Sequence, residues 1–131
     1  MPPRSSPHPT EAELEILNVL WQKGPSTVRA VHQTLQADRQ TGLTTTLKML
    51  QVMTEKKLVV RDEDVRPARY RPARPKEKTQ AGLLEELARR AFNGSVRKLL
   101  VRAVEAGRLS DEELKAVGEA VRQVRRGRRG E

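Results

Sequence analysis

One segment of the chain, TTTLKMLQVMTEKKL over residues 44–58, combines short hydroxyl side chains with a lysine and a methionine. Short side chains let a helix approach a phosphate backbone closely, and a lysine can reach a phosphate or a guanine edge. A methionine can contact a thymine methyl group. The same pattern occurs in ordinary amphipathic helices whose polar face is only solvated. The candidate nucleic-acid contacts of this segment are Thr44, Thr45, Thr46, Lys48 and Met49.

The apolar spacing predicts that this segment forms one helix with two different faces. At about 100° per residue, Leu47, Leu50 and Leu58 share one face, and Met53 lies beside them. We expect that face to be buried and the hydroxyl-bearing face to be exposed.

A first helix is predicted from a capping-box pattern near the start of the chain. In Thr10–Glu13, TEAE, the threonine side chain can cap the Glu13 amide while the glutamate reaches back. Gly24 and Pro25 then end the helix. Its predicted buried residues are Leu14, Ile16, Leu17, Leu20 and Trp21.

A second helix follows, capped by Ser26 or Thr27, and a short polar turn at residues 38–42 leads into the helix of residues 44–58. Arg29, near the start of this second helix, is a further candidate phosphate contact. Two short helices joined by a tight turn form a helix-turn-helix, whose second helix enters a DNA groove. The predicted inner face of the second helix consists of Val28, Val31 and Leu35.

Two segments after the third helix predict a β-hairpin. Residues 58–61, LVVR, and 68–72, ARYRP, flank a charged turn. Alternation along the second strand places Arg69 and Arg71 on one face and Tyr70 on the other, so we expect Tyr70 to be packed. Three helices followed by a basic hairpin predict a winged helix-turn-helix domain. The candidate DNA contacts of this wing are Arg61, Arg66 and Arg69, with Arg66 at its tip.

The composition favours a polyanionic partner and excludes several kinds of site. The chain has 131 residues, a formal net charge of +9 and no cysteine, which excludes disulfides, thiolate metal sites and cysteine nucleophiles. His8 and His32 are far apart in sequence, and there is no glycine-rich phosphate loop. We therefore expect no enzyme activity, no metal and no cofactor. The sequence has no transmembrane run and no signal-peptide core, so we expect a cytoplasmic location.

Three further helices are predicted over residues 77–126. Each carries an apolar stripe, but these helices lack the apolar surface for a solid core of their own. We therefore predict a homodimerisation domain; the alternative is that the stripes fold back on the chain's own winged domain. The predicted dimer contacts are Leu84, Leu87, Phe92, Leu99, Leu100, Val104, Leu114, Val117 and Val121.

Together these patterns predict a mainly α protein, with a winged helix-turn-helix domain of three helices and a β-hairpin followed by a three-helix dimerisation domain. The winged helix could instead serve protein–protein contact or RNA binding, although one Trp, one Tyr and one Phe offer few platforms for stacking on bases. The predicted divisions are a flexible arm at residues 1–9, the winged-helix domain at 10–74, the dimerisation domain at 75–126 and a basic tail at 127–131.

The order and spacing of several segments resemble the penicillinase-repressor family, which includes regulators of β-lactamase, methicillin resistance and copper transport. The matching segments are Thr10–Val31, Thr44–Leu58, Ala68–Ala73, Phe92–Ser95 and Leu109–Leu114. The resemblance implies a dimeric bacterial transcriptional repressor that binds a near-palindromic operator in double-stranded DNA. It also implies that the amino-terminal part of the third helix, with the candidate contacts named above, reads the operator.

Three departures from the family pattern concern the third helix and the inducing signal. Many members have glycine where this chain has Lys57, at the end of the third helix. Members inactivated by proteolysis are cut at an Asn-Phe bond, and the corresponding position here is Arg102–Ala103. Copper-responsive members carry a carboxy-terminal cysteine hook, whereas this chain has no cysteine. The resemblance therefore leaves open the inducing signal and any sensor or protease partner.

Overall fold

The structure is a computed structural model, and it describes residues 8–35 and 42–130. Within these residues, six helices and a two-stranded antiparallel hairpin confirm the predicted mainly α fold of a winged helix followed by a helical carboxy-terminal region. Two compact units divide between Leu83 and Leu84, inside α4; they are called the first and second unit below. The elements are α1 (Glu11–Lys23), α2 (Val28–Leu35), α3 (Leu43–Glu55), β1 (Val59–Asp62), β2 (Arg69–Pro72), α4 (Lys76–Ala91), α5 (Val96–Glu105) and α6 (Asp111–Arg128).

Helix α1 begins and ends as the sequence predicts. The Thr10 hydroxyl accepts a hydrogen bond from the Glu13 N–H at 3.2 Å, and the Glu13 carboxylate accepts one from the Thr10 N–H at 2.8 Å. These two bonds confirm the capping box. Gly24 ends the helix at φ 80°, a left-handed conformation that favours glycine. The buried residues of α1 are Glu13, Ile16, Leu17, Val19 and Leu20, while Leu14 and Trp21 are half-buried.

Thr27, rather than Ser26, caps α2, since its hydroxyl accepts a hydrogen bond from the Ala30 N–H at 3.1 Å. Ser26 instead pairs with Tyr70 as an isolated antiparallel bridge. The Ser26 N–H donates to the Tyr70 carbonyl at 3.0 Å, and the Tyr70 N–H donates to the Ser26 carbonyl at 2.8 Å. This bridge attaches the connection before α2 to the hairpin. Apart from Gly42, the predicted polar turn at 38–42 lies outside the described residues.

The core of the first unit is formed by α1, α2, α3 and the hairpin. Tyr70 is only 2% exposed and fills part of this core, which confirms its predicted packing. Val31 and Leu50 are fully buried, so the facing sides of α2 and α3 are both anchored. The buried cluster is Ile16, Leu17, Val19, Leu20, Val31, Leu50, Met53, Leu58, Val59 and Tyr70, with Trp21, Val28, Leu35 and Met49 partly buried against it.

Helix α3 ends earlier than predicted, at Glu55 instead of Leu58. Lys57 takes φ 65°, a left-handed conformation that cannot continue the helix. The Leu58 N–H donates to the Met53 carbonyl at 2.9 Å, and the Lys57 N–H donates to the Thr54 carbonyl at 3.1 Å. These two bonds are those of a Schellman motif, which usually has glycine where this chain has Lys57.

The hairpin follows directly and starts one residue later than predicted, at Val59. Its strands pair with Arg61 opposite Tyr70. Along β2, Tyr70 is buried while Arg69 and Arg71 are exposed, which confirms the predicted alternation. The wing is therefore fastened to the core by one face and presents arginines to solvent on the other.

The second unit consists of amphipathic helices with little buried surface. The Ser95 hydroxyl caps α5 by accepting from the Lys98 N–H at 3.1 Å. A capping box opens α6: the Ser110 hydroxyl accepts from the Glu113 N–H at 3.1 Å, and the Glu113 carboxylate accepts from the Ser110 N–H at 2.9 Å. No residue of α5 or α6 is buried. Ala88 of α4 is the buried hydrophobic residue of this unit among the described residues.

Two details concern the residues near the described ends of the chain. α6 continues through Gly127 to Arg128, two residues into the segment predicted as a basic tail, because helical hydrogen bonding persists there. His8 and Pro9, the end of the predicted arm, are half-buried. A Cβ added to Gly82 of α4 would lie 3.4 Å from the His8 ring, so the imidazole is seated where α4 has no side chain. Residues 1–7 lie outside the described residues.

Candidate nucleic-acid interface

Helix α3 has one anchored and one exposed side. Thr46, Leu50 and Met53 recur at helical spacing and are buried in the core of the first unit. The amino-terminal positions of α3 and those on the side away from the core face solvent. This exposed side of the helix is available to contact a DNA groove. The exposed residues of α3 are Leu43, Thr44, Thr45, Leu47, Lys48, Gln51, Val52 and Glu55.

Thr46 differs from the prediction, because it is buried and does not belong to the exposed contact residues. Its side chain is 2% exposed, and its hydroxyl lies 3.3 Å from Nδ1 of His32 on α2. A buried hydroxyl that is bonded to another helix cannot reach a base edge. Thr46 therefore holds α2 and α3 together, and His32 is a satisfied structural histidine.

Leu47 also differs from the prediction, because it is more exposed than expected. It was predicted to share the buried face with Leu50, but 37% of it is exposed. The buried face of α3 is rotated by about one residue from the face that the leucine spacing indicates. Thr46, and not Leu47, therefore faces α2. Met49 is half-buried against the core, so only part of its side chain is available to a partner.

Among the described residues, no side chain caps the amino terminus of α3. Its N-cap is Gly42, which provides no side-chain cap. Thr44 and Thr45 in the first turn are exposed. An uncapped helix start with short hydroxyl side chains is suited to bind phosphate, because helix N–H groups and the helix dipole both favour an anion there.

A groove of about 320 Å³ lies beside this exposed surface. It brings the start of α1 next to α3, a proximity that the sequence did not indicate. The side chains that line it are Thr10, Glu13, Thr45, Lys48, Met49 and Val52. Lys48 is exposed at this position and can extend toward a polyanion.

An ion pair that the sequence did not reveal joins α1 to the end of α3. Lys56 Nζ lies 2.7 Å from Glu13 Oε1, and the two side chains are 14% and 8% exposed. Burial acts to raise the pKa of Glu13, but hydrogen bonds from Lys56 and from the Thr10 N–H outweigh it and lower that pKa below its ordinary value. Since 43 positions separate Glu13 from Lys56, no local pattern could have predicted their contact.

The wing carries its predicted arginines on the surface. Arg61, Arg66 and Arg69 are all exposed. Arg61 forms an ion pair with Glu63 at 2.8 Å, and both side chains are largely exposed. Such surface pairs contribute little stability, so Arg61 can exchange Glu63 for a phosphate at small cost.

Arg29 is also exposed, on the outer side of α2. It follows the Thr27 cap, so its backbone lies in the first turn of that helix. A guanidinium at this place can donate two parallel hydrogen bonds to a phosphate.

Most of the predicted dimer contacts are exposed apolar side chains of the second unit. Seven of the nine are between 38% and 53% exposed, and Phe92 and Leu99 are half-buried. A single chain therefore leaves most of this apolar surface in water. The seven exposed residues are Leu84, Leu87, Leu100, Val104, Leu114, Val117 and Val121.

The described part of the chain lacks two other kinds of feature. Residues 8–35 and 42–130 contain no group of three His, Asp or Glu side chains that could hold a metal ion. None of the described helices is both long and apolar enough to cross a membrane.

Comparison with known proteins identifies the family. The penicillinase repressor family model matches residues 9–123, which is most of the chain. The chain belongs to the penicillinase-repressor family. Two curated relatives, both called transcriptional regulator BlaI, come from Mycobacterium tuberculosis strains CDC 1551 / Oshkosh and ATCC 25618 / H37Rv. Each is 34% identical to this chain over 119 residues, covering 89% of this chain and 85% of the relative.

Membership of this family confirms the resemblance found in the sequence. It supports a bacterial transcriptional repressor and indicates a regulatory role rather than an enzymatic one. The family match includes α1 to α5 and the first part of α6, so it covers both the winged helix and the helices with exposed apolar stripes.

Proposed function

We propose that this penicillinase-repressor family member binds a near-palindromic promoter operator as a homodimer and thereby blocks transcription. Helix α3 of each protomer enters a major groove, and the wing contacts the flanking phosphate backbone. The observation that carries this proposal is the exposed amino-terminal half of α3, whose opposite side is anchored in the core. A helix held in this way can enter a groove without unfolding the unit behind it.

Within α3, each exposed side chain has a chemical role that suits it. Thr44 and Thr45 in the first turn of α3 bind phosphate or allow close approach. Lys48 reaches a guanine edge or a phosphate, and the exposed part of Met49 contacts a thymine methyl group. Thr46 is excluded because it is buried.

Arginines around this helix supply backbone contacts. Arg66 and Arg69 on the wing and Arg29 on α2 are exposed and positively charged. Arg61 joins them once its surface pair with Glu63 opens. Each phosphate neutralised in this way releases counterions, so affinity should fall steeply as salt increases.

The homodimer is supported by the apolar surface of the second unit. Leu100, Val104 and Val121 are each about half exposed in the single chain. Covering such side chains contributes about 25 cal/mol for each Å² of apolar surface removed from water. A two-fold dimer also presents two copies of α3, which matches a two-fold operator with half-sites separated by about one helical turn or a multiple of it.

The experiment that tests the proposal is footprinting of the full-length protein on its own genomic DNA, followed by gel-shift titration of single-base variants of the protected site. We expect protection of a two-fold-symmetric duplex. Lys48→Ala should relax the preference at one base position of each half-site by about 1–3 kcal/mol if Lys48 reads a base. Lys98→Ala, which removes an exposed lysine from the second unit, is the matched control and should leave the preference unchanged.

Three results bear on this test in different ways. Uniform weakening of all variants by Lys48→Ala would assign Lys48 to a phosphate. Unchanged binding to every variant would remove Lys48 from the interface. Tighter binding to single-stranded RNA than to any duplex would overturn the proposal in favour of an RNA-binding winged helix.

A further inference from the structure

Lys56 occupies an unusual place relative to the surface proposed to read DNA. Along α3 and its C-cap, Thr45, Lys48, Val52 and Lys56 recur at helical spacing and therefore follow one stripe. The first three are exposed, whereas the side chain of Lys56 is only 14% exposed. A lysine at the end of such a stripe would ordinarily extend toward phosphate, but here its ammonium group is directed to another helix.

The partner of Lys56 is the carboxylate that closes the α1 capping box. Glu13 Oε1 accepts a hydrogen bond from Lys56 Nζ at 2.7 Å and another from the Thr10 N–H at 2.8 Å. One oxygen atom thus connects the first turn of α1 to the C-cap of α3. At 8% exposure, the Glu13 side chain has little water to replace either bond.

This connection lies beside the groove of about 320 Å³ described above. Thr10 and Glu13 form its α1 side, and Thr45, Lys48 and Val52 belong to its α3 side. A rotation of α3 relative to α1 would change this groove and the direction in which Lys48 points. The Glu13–Lys56 pair is placed to resist that rotation, because it ties the two helices at the carboxy-terminal end of α3.

We propose that Glu13 and Lys56 form a positioning pair for operator recognition, and that the pair also withholds the Lys56 ammonium group from DNA phosphate. The pair orients the exposed stripe of α3 and removes a sequence-independent contact from its end. Since phosphate contacts strengthen binding to every duplex alike, withholding one raises the ratio of operator to non-operator affinity. This inference rests on the proposed operator-binding function.

The substitution Glu13→Gln distinguishes the role of the carboxylate charge from the role of the side chain in the capping box. Glutamine at this position can still reach back to the Thr10 N–H, so the capping box is retained while the carboxylate charge is lost. Glu113→Gln is the matched control, because it makes the same change in the capping box of α6. Glu113 is exposed, and among the described residues its carboxylate forms no ion pair.

The test uses the full-length protein and two duplexes, the footprinted operator and a scrambled sequence of the same length. For Glu13→Gln we expect the ratio of the two affinities to fall about tenfold, a typical size for coupling between contacting groups. We also expect binding to the scrambled duplex to become more salt-dependent, with a log–log slope steeper by about 0.9 for each Lys56 that gains a phosphate. Glu113→Gln should change neither quantity.

Lys56→Met distinguishes positioning from simple loss of stability. It should lower the affinity ratio, as Glu13→Gln does, but without steepening the salt dependence, because no ammonium group is released. The double variant Glu13→Gln with Lys56→Met should lower the ratio little further than either single variant, because each change already removes the same pair, and glutamine keeps the capping box.

Two outcomes overturn this inference. One is an unchanged affinity ratio in both Glu13→Gln and Lys56→Met, measured where circular dichroism shows that the variants are folded. The other is an unchanged salt dependence in Glu13→Gln. If instead the wild-type protein shows no preference for any duplex, the proposed function itself fails, which is a different result.

Discussion

The two units of the chain bury their apolar side chains to different degrees. In the first unit, Leu50 and Val31 are fully buried where α2 meets α3. In the second unit, Leu100 and Val121 are about half exposed, although α5 and α6 also carry an apolar stripe. A hairpin and a bridging serine help to close the first core, whereas residues 84–130 of the second unit contain helices and no strand. The first unit therefore has a closed core, while the second leaves much of its apolar surface exposed.

The two capping boxes sharpen the same contrast. Thr10–Glu13 and Ser110–Glu113 have matching hydrogen bonds, all between 2.8 and 3.2 Å. The Glu13 carboxylate is buried and also binds Lys56, whereas Glu113 is exposed. The same kind of local motif thus caps a helix in both units. In the first unit it also forms a contact between two helices.

The largest expected effect is on the open surface of the second unit. Val121→Glu places a charge on the apolar stripe of α6 and should weaken dimerisation by about 4 kcal/mol, since an unpaired charge would be buried in the interface. Gln123→Glu makes the same change of charge on the same helix at an exposed polar position and should leave the dimer intact. Sedimentation velocity over a concentration series measures both. Equal dimerisation of the two variants would contradict the proposed interface.

The next effect is on the closed core of the first unit. Leu50→Ala should lower the free energy of unfolding by about 3 kcal/mol, because it leaves a cavity beneath α3. Leu47→Ala, on the same helix but 37% exposed, should lower it by less than about 1 kcal/mol. Urea denaturation at one fixed protein concentration compares the two. Similar losses would show that the face of α3 toward the core has been assigned wrongly.

A smaller, pH-dependent effect distinguishes the two capping boxes. The pKa of Glu13 is lowered in the folded chain from its ordinary value of 4.5, so the pair stabilises the fold above about that pH. This contribution is lost as the pH falls through the lowered value. Glu13→Gln should therefore cost about 2 kcal/mol at pH 7 and progressively less below pH 4.5.

Glu113→Gln provides the comparison for this pH dependence. Its pKa is also lowered, by hydrogen bonds from the N–H and the side chain of Ser110, but the carboxylate is exposed. Thermal unfolding from pH 3 to pH 7 should therefore show a smaller difference from wild type for this variant. A larger difference for Glu113→Gln than for Glu13→Gln would contradict the importance of the buried pair.

The smallest expected effect concerns backbone conformation at Lys57 and Asn93, the two non-glycine residues with a left-handed backbone among those the structure describes. Lys57→Gly should raise the free energy of unfolding by about 0.5–1 kcal/mol, because φ 65° disfavours a lysine. Asn93→Gly, at φ 54° in the second unit, should give a smaller gain, since asparagine tolerates this conformation better. Differential scanning calorimetry can compare them, and destabilisation by Lys57→Gly would argue against the Schellman turn.

Much of the fold could be predicted from sequence because its signals are local. The capping box of α1, the end of that helix at Gly24 and the alternation around Tyr70 depend on residues within a few positions of one another. The order of the helices and the hairpin was sufficient to indicate a winged helix, and the family comparison confirmed this class. The open apolar stripes of the second unit were also visible in the spacing of leucines and valines.

Only the tertiary structure decided which side chains meet across the chain. It placed Thr46 against His32 and so removed a hydroxyl from the candidate interface, and it joined Ser26 to Tyr70 and Glu13 to Lys56. A helical period shows which residues share a face but not which part of that face meets the core. Which part of the face is buried depends on the elements that pack against the helix. Those elements come from distant parts of the chain, so a local pattern does not reveal them.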